Sequence, residues 1–210
     1  MNLINQLSLY FVTDSSLSLP QLLHVTEEAV KGGVGVVQLR EKQLNGLGFY
    51  KKAKALKELL SPYNIPLIIN DRVDIALSVE ADGIHIGQED IPLDTVKRIV
   101  PSTMIIGVSA KTFAEAKRAE KDGADYIGVG AMFPTKTKAD SEIALELELM
   151  RIANEIKIPK VAIGGIKEDN ISEIKKYYFD GIAVISAISK SKNPYQQSKS
   201  LLRIFRENSM

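Results

Sequence analysis

Short apolar runs rich in β-branched residues recur along the chain, and most are followed by a polar or glycine-containing turn. Runs that are apolar at consecutive positions are typical of strands buried on both faces of a parallel sheet. We therefore predict eight strands. They cover residues 7–14, 34–41, 66–71, 83–88, 104–110, 126–133, 160–165 and 181–188.

The segments between these runs have the apolar spacing of helices. After the first strand, Leu22, Val25 and Ala29 share one face of a predicted helix, and acidic residues are turned outward. After the second strand, the equivalent face is formed by Tyr50, Ala53, Leu56 and Leu60. Glycine-containing stop signals follow two of the helical patterns, at residues 32–33 and 122–123.

Strand and helix patterns alternate strictly through eight units, which indicates a parallel α/β protein. An open doubly wound sheet uses about five or six strands, whereas about eight close into a barrel. No linker or low-complexity stretch divides the chain. We predict an α/β fold, a single (β/α)8 TIM barrel of parallel strands that forms one catalytic domain over residues 1–210.

Charge balance and the missing cysteines exclude several classes of protein. The 27 Lys and Arg nearly match the 26 Asp and Glu, so a basic footprint for nucleic acid is absent. The chain has no cysteine, which excludes disulfides, thiolate nucleophiles and thiolate metal sites. No apolar run approaches the roughly 20 residues that cross a bilayer, and no secretory signal is visible. We expect a cytoplasmic protein that binds neither nucleic acid nor membrane.

The end of the second strand carries an unusual set of polar residues. Strand periodicity puts Gln38, Arg40 and Lys42 on one face, with Leu39 and Glu41 on the other. If the first face looks into the barrel mouth, an amide and two cations converge there, as a diphosphate ligand requires. The alternative is a solvated rim on which the cations pair with Glu41.

Carboxylates follow the third and fourth strands. Asp71 comes directly after Asn70 at the end of one strand, and Asp90 follows the next. Carboxylates at neighbouring strand tips can hold Mg²⁺, which favours one or two carboxylates together with substrate phosphates. The alternative role of each is a helix N-cap, before Val73 or before Pro92.

Two further regions have the composition of a phosphate site. The sixth strand leads into Thr135, Lys136, Thr137 and Lys138, a loop of hydroxyls and positive charge that suits a phosphate monoester or forms a solvated surface loop. Gly164-Gly165 ends the seventh strand, and Ile185-Ser186 lies near the end of the eighth. Loops after these strands form the common phosphate pocket of TIM barrels.

The remaining candidates fit other chemistry poorly. His24 lies in a helix pattern, and His85 lies inside a strand with no second histidine, so we interpret it as structural. Ser109 ends the fifth strand, but no Ser-His-Asp set can be assembled. A Schiff-base lysine would project from the carboxyl end of a strand. Lys160 stands at the amino end of its strand, so Lys42 is the lysine whose position still allows this role.

Eight segments, in this order, resemble the thiamine phosphate synthase family, and the likeness runs from Tyr10 to about Pro194. They are QLREK (38–42), ND (70–71), GIHIGQED (83–90), GVSA (107–110), DGADYIGVG (122–130), PTKTK (134–138), AIGGI (162–166) and VISAI (184–188).

The resemblance implies an enzyme that condenses an aminopyrimidine diphosphate with a thiazole phosphate, with Mg²⁺ as cofactor and pyrophosphate released. It assigns the diphosphate substrate to Gln38, Leu39, Arg40, Glu41, Lys42, Asn70, Ser109 and Lys138, of which Arg40, Lys42, Ser109 and Lys138 would be catalytic. It assigns the thiazole phosphate to Thr135, Lys136, Thr137, Gly165, Ile185 and Ser186, and the metal to Asp71 and Asp90. The expected partners are the two small phosphate substrates, and a homo-oligomer is left open.

One departure from the family pattern bears on the alternatives. Lys111 stands where the family often has His. A related thiazole tautomerase shares the barrel and relies on a histidine after the fifth strand, so Lys111 favours the synthase. An isomerase or aldolase on this fold would need a general base or a Schiff-base lysine. A non-catalytic sensor of phosphate ligands would bind product without turnover.

Overall fold

The structure is a computed structural model that describes residues 3–134 and 146–207. Its parallel strands pair in sequence order, and the last pairs with the first, so the sheet is a closed barrel. The predicted fold class is confirmed. The strands are β1 (Leu9–Val12), β2 (Val36–Leu39), β3 (Leu67–Asn70), β4 (Gly83–Ile86), β5 (Ile105–Ala110), β6 (Tyr126–Val129), β7 (Lys160–Ile163) and β8 (Gly181–Val184).

Helices connect successive strands on the outside of the barrel. The longer ones bury the predicted apolar faces, although Phe49 and not Tyr50 is the fully buried aromatic residue of the second predicted helix. In the described residues the helices are α1 (Leu3–Leu7), α2 (Leu19–Lys31), α3 (Gly46–Leu60), α4 (Val73–Ser78), α5 (Leu93–Ile99), α6 (Phe113–Asp122), α7 (Glu146–Glu155), α8 (Ile171–Ile174), α9 (Ser186–Ser189) and α10 (Pro194–Glu207).

Alternate residues of each strand contribute to two separate cores. In β1, Leu9 and Phe11 pack outward against the helices, whereas Tyr10 and Val12 fill the barrel interior. Because strand side chains alternate between the two faces, the same division orients the polar residues farther along each strand. The interior cluster is small and includes two tyrosines, so polar atoms lie close to the middle of the barrel.

A recurring aspartate fixes the pairing of neighbouring strands. Each aspartate directly precedes β4, β6 or β8. Its side chain accepts a hydrogen bond from a backbone N–H near the start of the preceding strand. That N–H would otherwise have no partner in the sheet. The bonds are Leu67 N to Asp82 Oδ2 (2.9 Å), Ile106 N to Asp125 Oδ2 (2.7 Å) and Lys160 N to Asp180 Oδ2 (2.8 Å).

The amino-terminal end of the barrel is closed by α1, whose Leu7 is fully buried in the interior cluster. The polar residues predicted as a site follow the opposite, carboxyl ends of the strands. No helix in the described ranges has both the length and the apolar character that a membrane span requires.

Candidate active site

The end of β2 presents its side chains as the alternation predicts. Gln38 is buried and donates a hydrogen bond to Tyr10 inside the barrel (2.9 Å). Leu39 is fully buried in the outer core. Glu41 also faces outward, where the Nζ of Lys52 on α3 lies 2.7 Å from its Oε1. Leu39 and Glu41 therefore offer only their backbone to a ligand in the barrel mouth.

Arg40 follows the strand and is only partly buried. Its backbone N–H donates to Thr13 Oγ1 at the end of β1 (3.0 Å), which ties the loop to the neighbouring strand. Within the described ranges, its guanidinium has no ion pair or side-chain hydrogen bond. A partly desolvated arginine without a carboxylate partner is suited to an anionic ligand.

Asp71 lies between a cation and a second carboxylate. Lys42 Nζ is 2.6 Å from Asp71 Oδ2. Burial raises the pKa of Asp71, and although the Lys42 ion pair acts to lower it, the nearby Asp90 carboxylate adds to the rise. Like charges held together at neighbouring strand tips are a feature of cation-binding sites, since the cation removes their repulsion.

The N-cap alternative does not describe either aspartate. The N-cap position of α4 is Arg72, with no side-chain cap bond, and Asp71 itself adopts the left-handed conformation at φ 63°. The N-cap position of α5 is Pro92. Asp90 instead accepts a hydrogen bond from Gly87 N within its own loop (2.7 Å). Both carboxylates are thus held by the strand-end loops and not by helix termini.

Asn70 ends β3 beside His85, its register partner on β4. It is 7% exposed, yet its side-chain amide has no hydrogen-bond partner among the described residues. Buried amides are normally satisfied, so this one is available to a ligand that enters the mouth.

A chain of hydrogen bonds crosses the barrel interior below this rim. From Gln38 it continues through Tyr10 and Tyr126, whose hydroxyl oxygens are 2.8 Å apart. The Tyr126 hydroxyl is 3.0 Å from His85 Nδ1, and His85 Nε2 is 2.9 Å from Ser109 Oγ at the end of β5. Burial raises the pKa of both tyrosines, so their hydroxyls stay protonated.

Sequence reasoning missed the two tyrosines and gave His85 only a structural role. The available signal was that Tyr10, His85 and Tyr126 each interrupt an apolar strand with a polar-tipped ring. Buried hydroxyl and imidazole groups need partners, so such residues on separate strands point to one another across a barrel.

The loop after β6 packs on the glycine pair that ends β7. Met132 N donates to Ile163 O (2.9 Å) and Phe133 N to Gly164 O (3.1 Å). Gly165 has φ 68°, and a Cβ there would lie 2.8 Å from the carbonyl oxygen of Pro134. The structure therefore places the start of the predicted phosphate loop against Gly165. The predicted residues Thr135, Lys136, Thr137 and Lys138 lie outside the described residues.

Ile185 and Ser186 form the start of α9, directly after β8. Ile185 is the N-cap residue and has no side-chain cap bond. The first N–H groups of a helix have no partner within it, so these groups are available at the mouth of the barrel. Since β7 and β8 are adjacent, the start of α9 and Gly165 belong to neighbouring strand ends.

A family model described as thiamine monophosphate synthase matches residues 9–188, which is most of the chain. The chain belongs to this family. The thiamine-phosphate synthase of Methanobrevibacter smithii is 48% identical over 200 residues, covering 95% of this chain and 96% of that protein. The protein of the same name from Clostridium tetani is 49% identical over 201 residues, covering 95% and 96%.

The solved structure of thiamine phosphate pyrophosphorylase from Pyrococcus furiosus has a TM-score of 0.89 to this chain at 39% identity, covering 99% of each. The thiamine monophosphate synthase family member described here is thus an enzyme, and its relatives are transferases.

Lys160 is not placed for Schiff-base chemistry at the carboxyl ends of the strands. Lys160 lies at the amino-terminal end of β7, where it is buried and donates to Ile156 O (3.1 Å). The described residues also contain no group of three or more His, Asp or Glu close enough to hold a metal by themselves. Asp71 and Asp90 would thus be two of the ligands of a metal ion, and Mg²⁺ ordinarily keeps water and substrate phosphates as further ligands.

Proposed function

We propose that the protein condenses 4-amino-2-methyl-5-(hydroxymethyl)pyrimidine diphosphate with 4-methyl-5-(2-hydroxyethyl)thiazole phosphate to give thiamine phosphate and pyrophosphate. The observation that carries the proposal is that Arg40 lies at the barrel mouth without a carboxylate partner among the described residues. Its guanidinium is partly buried and has no carboxylate partner in the described residues, although the Asp71 and Asp90 carboxylates follow the next two strands. A site with an unpaired cation beside paired acids suits a metal-bound diphosphate.

The diphosphate substrate would occupy the ends of β2, β3 and β5. Arg40 offers a planar fork to two phosphate oxygens, and Lys42 offers a point charge. Asn70 and Ser109 would add hydrogen bonds from the neighbouring strands, and Gln38 would reach the ligand from inside the barrel. The contacts proposed for Leu39 and Glu41 would be made by backbone atoms. Lys138 belongs to this set by resemblance alone.

The carboxylates of Asp71 and Asp90 fit a bound Mg²⁺ ion. They are close enough for Asp90 to raise the pKa of Asp71, so a cation between them would relieve an unfavourable contact. Two carboxylates and substrate phosphates form the kind of ligand set that Mg²⁺ prefers. When bound, Mg²⁺ supplies positive charge that neutralises the diphosphate.

The thiazole phosphate would bind on the other side of the mouth, at the ends of β6, β7 and β8. Gly165 has no side chain, which lets the loop after β6 pack against the end of β7. The backbone N–H groups at Ile185 and Ser186 would be donors to the anion. Thr135, Lys136 and Thr137 would complete this pocket, because the loop that carries them begins against Gly165.

The proposed chemistry needs anion stabilisation more than proton transfer. The bond that breaks joins a benzylic-type carbon to a diphosphate oxygen, and the electron-rich aminopyrimidine can carry the resulting positive charge. Arg40 and Lys42 stabilise the departing pyrophosphate. The thiazole nitrogen is already nucleophilic, so the pocket has only to hold it close to that carbon.

The test is to mix the purified protein with both substrates and Mg²⁺ and to measure pyrophosphate and thiamine phosphate. We expect equal amounts of both products, and none when either substrate is omitted or EDTA is added. Isomerisation of a thiazole substrate without coupling would support the tautomerase alternative. Binding of thiamine phosphate without turnover would support the sensor.

A further inference from the structure

We propose that the buried chain Gln38–Tyr10–Tyr126–His85–Ser109 has one fixed direction, which makes Ser109 a hydrogen-bond donor to the diphosphate. Tyr10, Tyr126 and His85 are then positioning residues that act through Ser109. The direction is inferred from the Gln38 donor at one end of the hydrogen-bond chain, because the distances of the other bonds fit either donor. Its consequence for catalysis rests on the function proposed above.

Proton counting sets the direction. The Gln38 amide nitrogen donates to the Tyr10 hydroxyl, 2.9 Å away. The Tyr10 hydroxyl has one proton, and the Tyr126 oxygen, 2.8 Å away, is the acceptor that we infer for it. The Tyr126 proton is then donated to His85 Nδ1, 3.0 Å away. His85 then carries its proton on Nε2 and donates to Ser109 Oγ. Ser109 thus keeps its own proton for a ligand.

The barrel provides space for this chain at two glycines. A Cβ on Gly107 would collide with the ring and hydroxyl of Tyr126. A Cβ on Gly128 would lie 3.3 Å from His85 Cε1. Gly107 and Gly128 are the register partners of Tyr126 and Ser109, so the strand pairing itself places these rings where they meet.

The direction matters because phosphate oxygens only accept hydrogen bonds. If the Gln38 amide presented its oxygen to Tyr10, every bond could reverse, and His85 would hold its proton on Nδ1. Ser109 would then donate its hydroxyl proton to His85 and would have only lone pairs, which cannot bond to an anion, left for a ligand. The two directions therefore differ in a measurable property, the tautomer of His85.

The first experiment is ¹⁵N NMR on the whole protein with labelled histidine. The protein has two histidines, and His24→Gln removes the signal of the exposed one. We expect one His85 tautomer, protonated on Nε2. In Tyr126→Phe, which keeps the ring but loses the hydroxyl, this preference is lost. A proton on Nδ1 in the wild type, or on both nitrogens, overturns the proposal.

The second experiment compares pyrophosphate release by Ser109→Ala, Tyr126→Phe and the double variant. Each single change should lower kcat by about tenfold, the effect of one hydrogen bond, and the double variant should be no slower than Ser109→Ala. Multiplying losses would overturn the role through Ser109. Tyr177→Phe, a buried tyrosine of the outer core, is the control and should keep full activity.

The two experiments separate this inference from the proposed function. A wild type with the Nε2 tautomer but without pyrophosphate release would retain the direction of the chain and contradict the synthase activity. If Tyr126→Phe does not fold, Tyr10→Phe cuts the same chain one bond earlier and should also lose the tautomer preference. An unchanged tautomer in whichever of the two variants folds overturns the proposal.

Discussion

Lys42 and Asp71 form an ion pair across the ends of β2 and β3, with Nζ 2.6 Å from Oδ2. The pair links the proposed diphosphate site to the proposed metal site. Burial and Asp90 raise the pKa of Asp71, and Lys42 opposes them. Lys42 therefore helps to keep Asp71 ionised in the absence of a metal ion.

Lys42→Met should reduce turnover and also change its dependence on pH. Loss of the cation raises the pKa of Asp71 further, so the acid limb of the kcat profile should move to higher pH. We expect kcat at neutral pH to fall by at least about tenfold, since charge at the leaving group is lost. Lys51→Met on the exposed face of α3 is the matched control. Equal profiles for the two variants would contradict the role of Lys42.

Asp90→Asn should remove the binding of metal. In the wild type, we expect Mg²⁺ together with pyrophosphate to raise the Tm, because ligands that bind the folded state stabilise it. The variant should lose most of this gain. Asp94→Asn, at an exposed position of α5, should keep it. A full Tm gain in Asp90→Asn would rule out the metal assignment.

The same substitution should change how stability depends on pH without metal. The pKa of Asp71 is raised in the folded state, so the folded protein binds more protons and its stability falls as pH rises above the ordinary range for a carboxyl. Asp90→Asn removes one cause of this rise. Between about pH 4 and about pH 7 the variant should therefore lose less Tm than the wild type. An equal or larger loss would show that Asp90 does not act on Asp71.

Glu41→Gln should test the outward direction of this side chain. Glu41 and Lys52 have side-chain exposures of 2% and 11%, and loss of one partner leaves the other charge buried. We expect the free energy of unfolding in urea to fall by about 3 kcal/mol. Glu207→Gln removes an exposed pair and should cost less than about 1 kcal/mol. Similar losses would mean that Glu41 is solvated.

Gly165→Ala should weaken binding of the thiazole phosphate. Its φ of 68° is left-handed, and the added Cβ would meet Phe133 Cβ and O at 2.8 Å. The loop after β6 must then move, so KM for the thiazole phosphate should rise more than KM for the diphosphate. Gly46→Ala adds a Cβ whose nearest neighbour is a side-chain atom 3.6 Å away and should change neither. The reverse order of the two KM changes would mean that the pockets are exchanged.

Periodicity alone placed the strands and the orientation of the β2 residues. Each strand lies inside a predicted apolar run, and Gln38 and Leu39 face opposite sides as expected. Local pattern was sufficient here because consecutive apolar residues and a period of two are properties of the single strand.

Contacts between side chains on distant strands could not be predicted from the local sequence pattern. Tyr10 and Tyr126 are separated by 116 positions, and their meeting depends on the closure and register of the sheet. The roles of Asp71 and Asp90 also needed coordinates, because an N-cap and a strand-end ligand have the same sequence signature. The structure excludes the N-cap role for Asp71, which has a left-handed backbone and precedes the N-cap residue Arg72, and the metal role stays a prediction.

The most direct test of the account is a crystal structure with Mg²⁺ and pyrophosphate added. We predict one diphosphate at the carboxyl ends of β2 and β3, in contact with Arg40, and one metal ion held by Asp71 and Asp90. A diphosphate bound away from Arg40, or a metal ion that contacts neither aspartate, would contradict the proposed site.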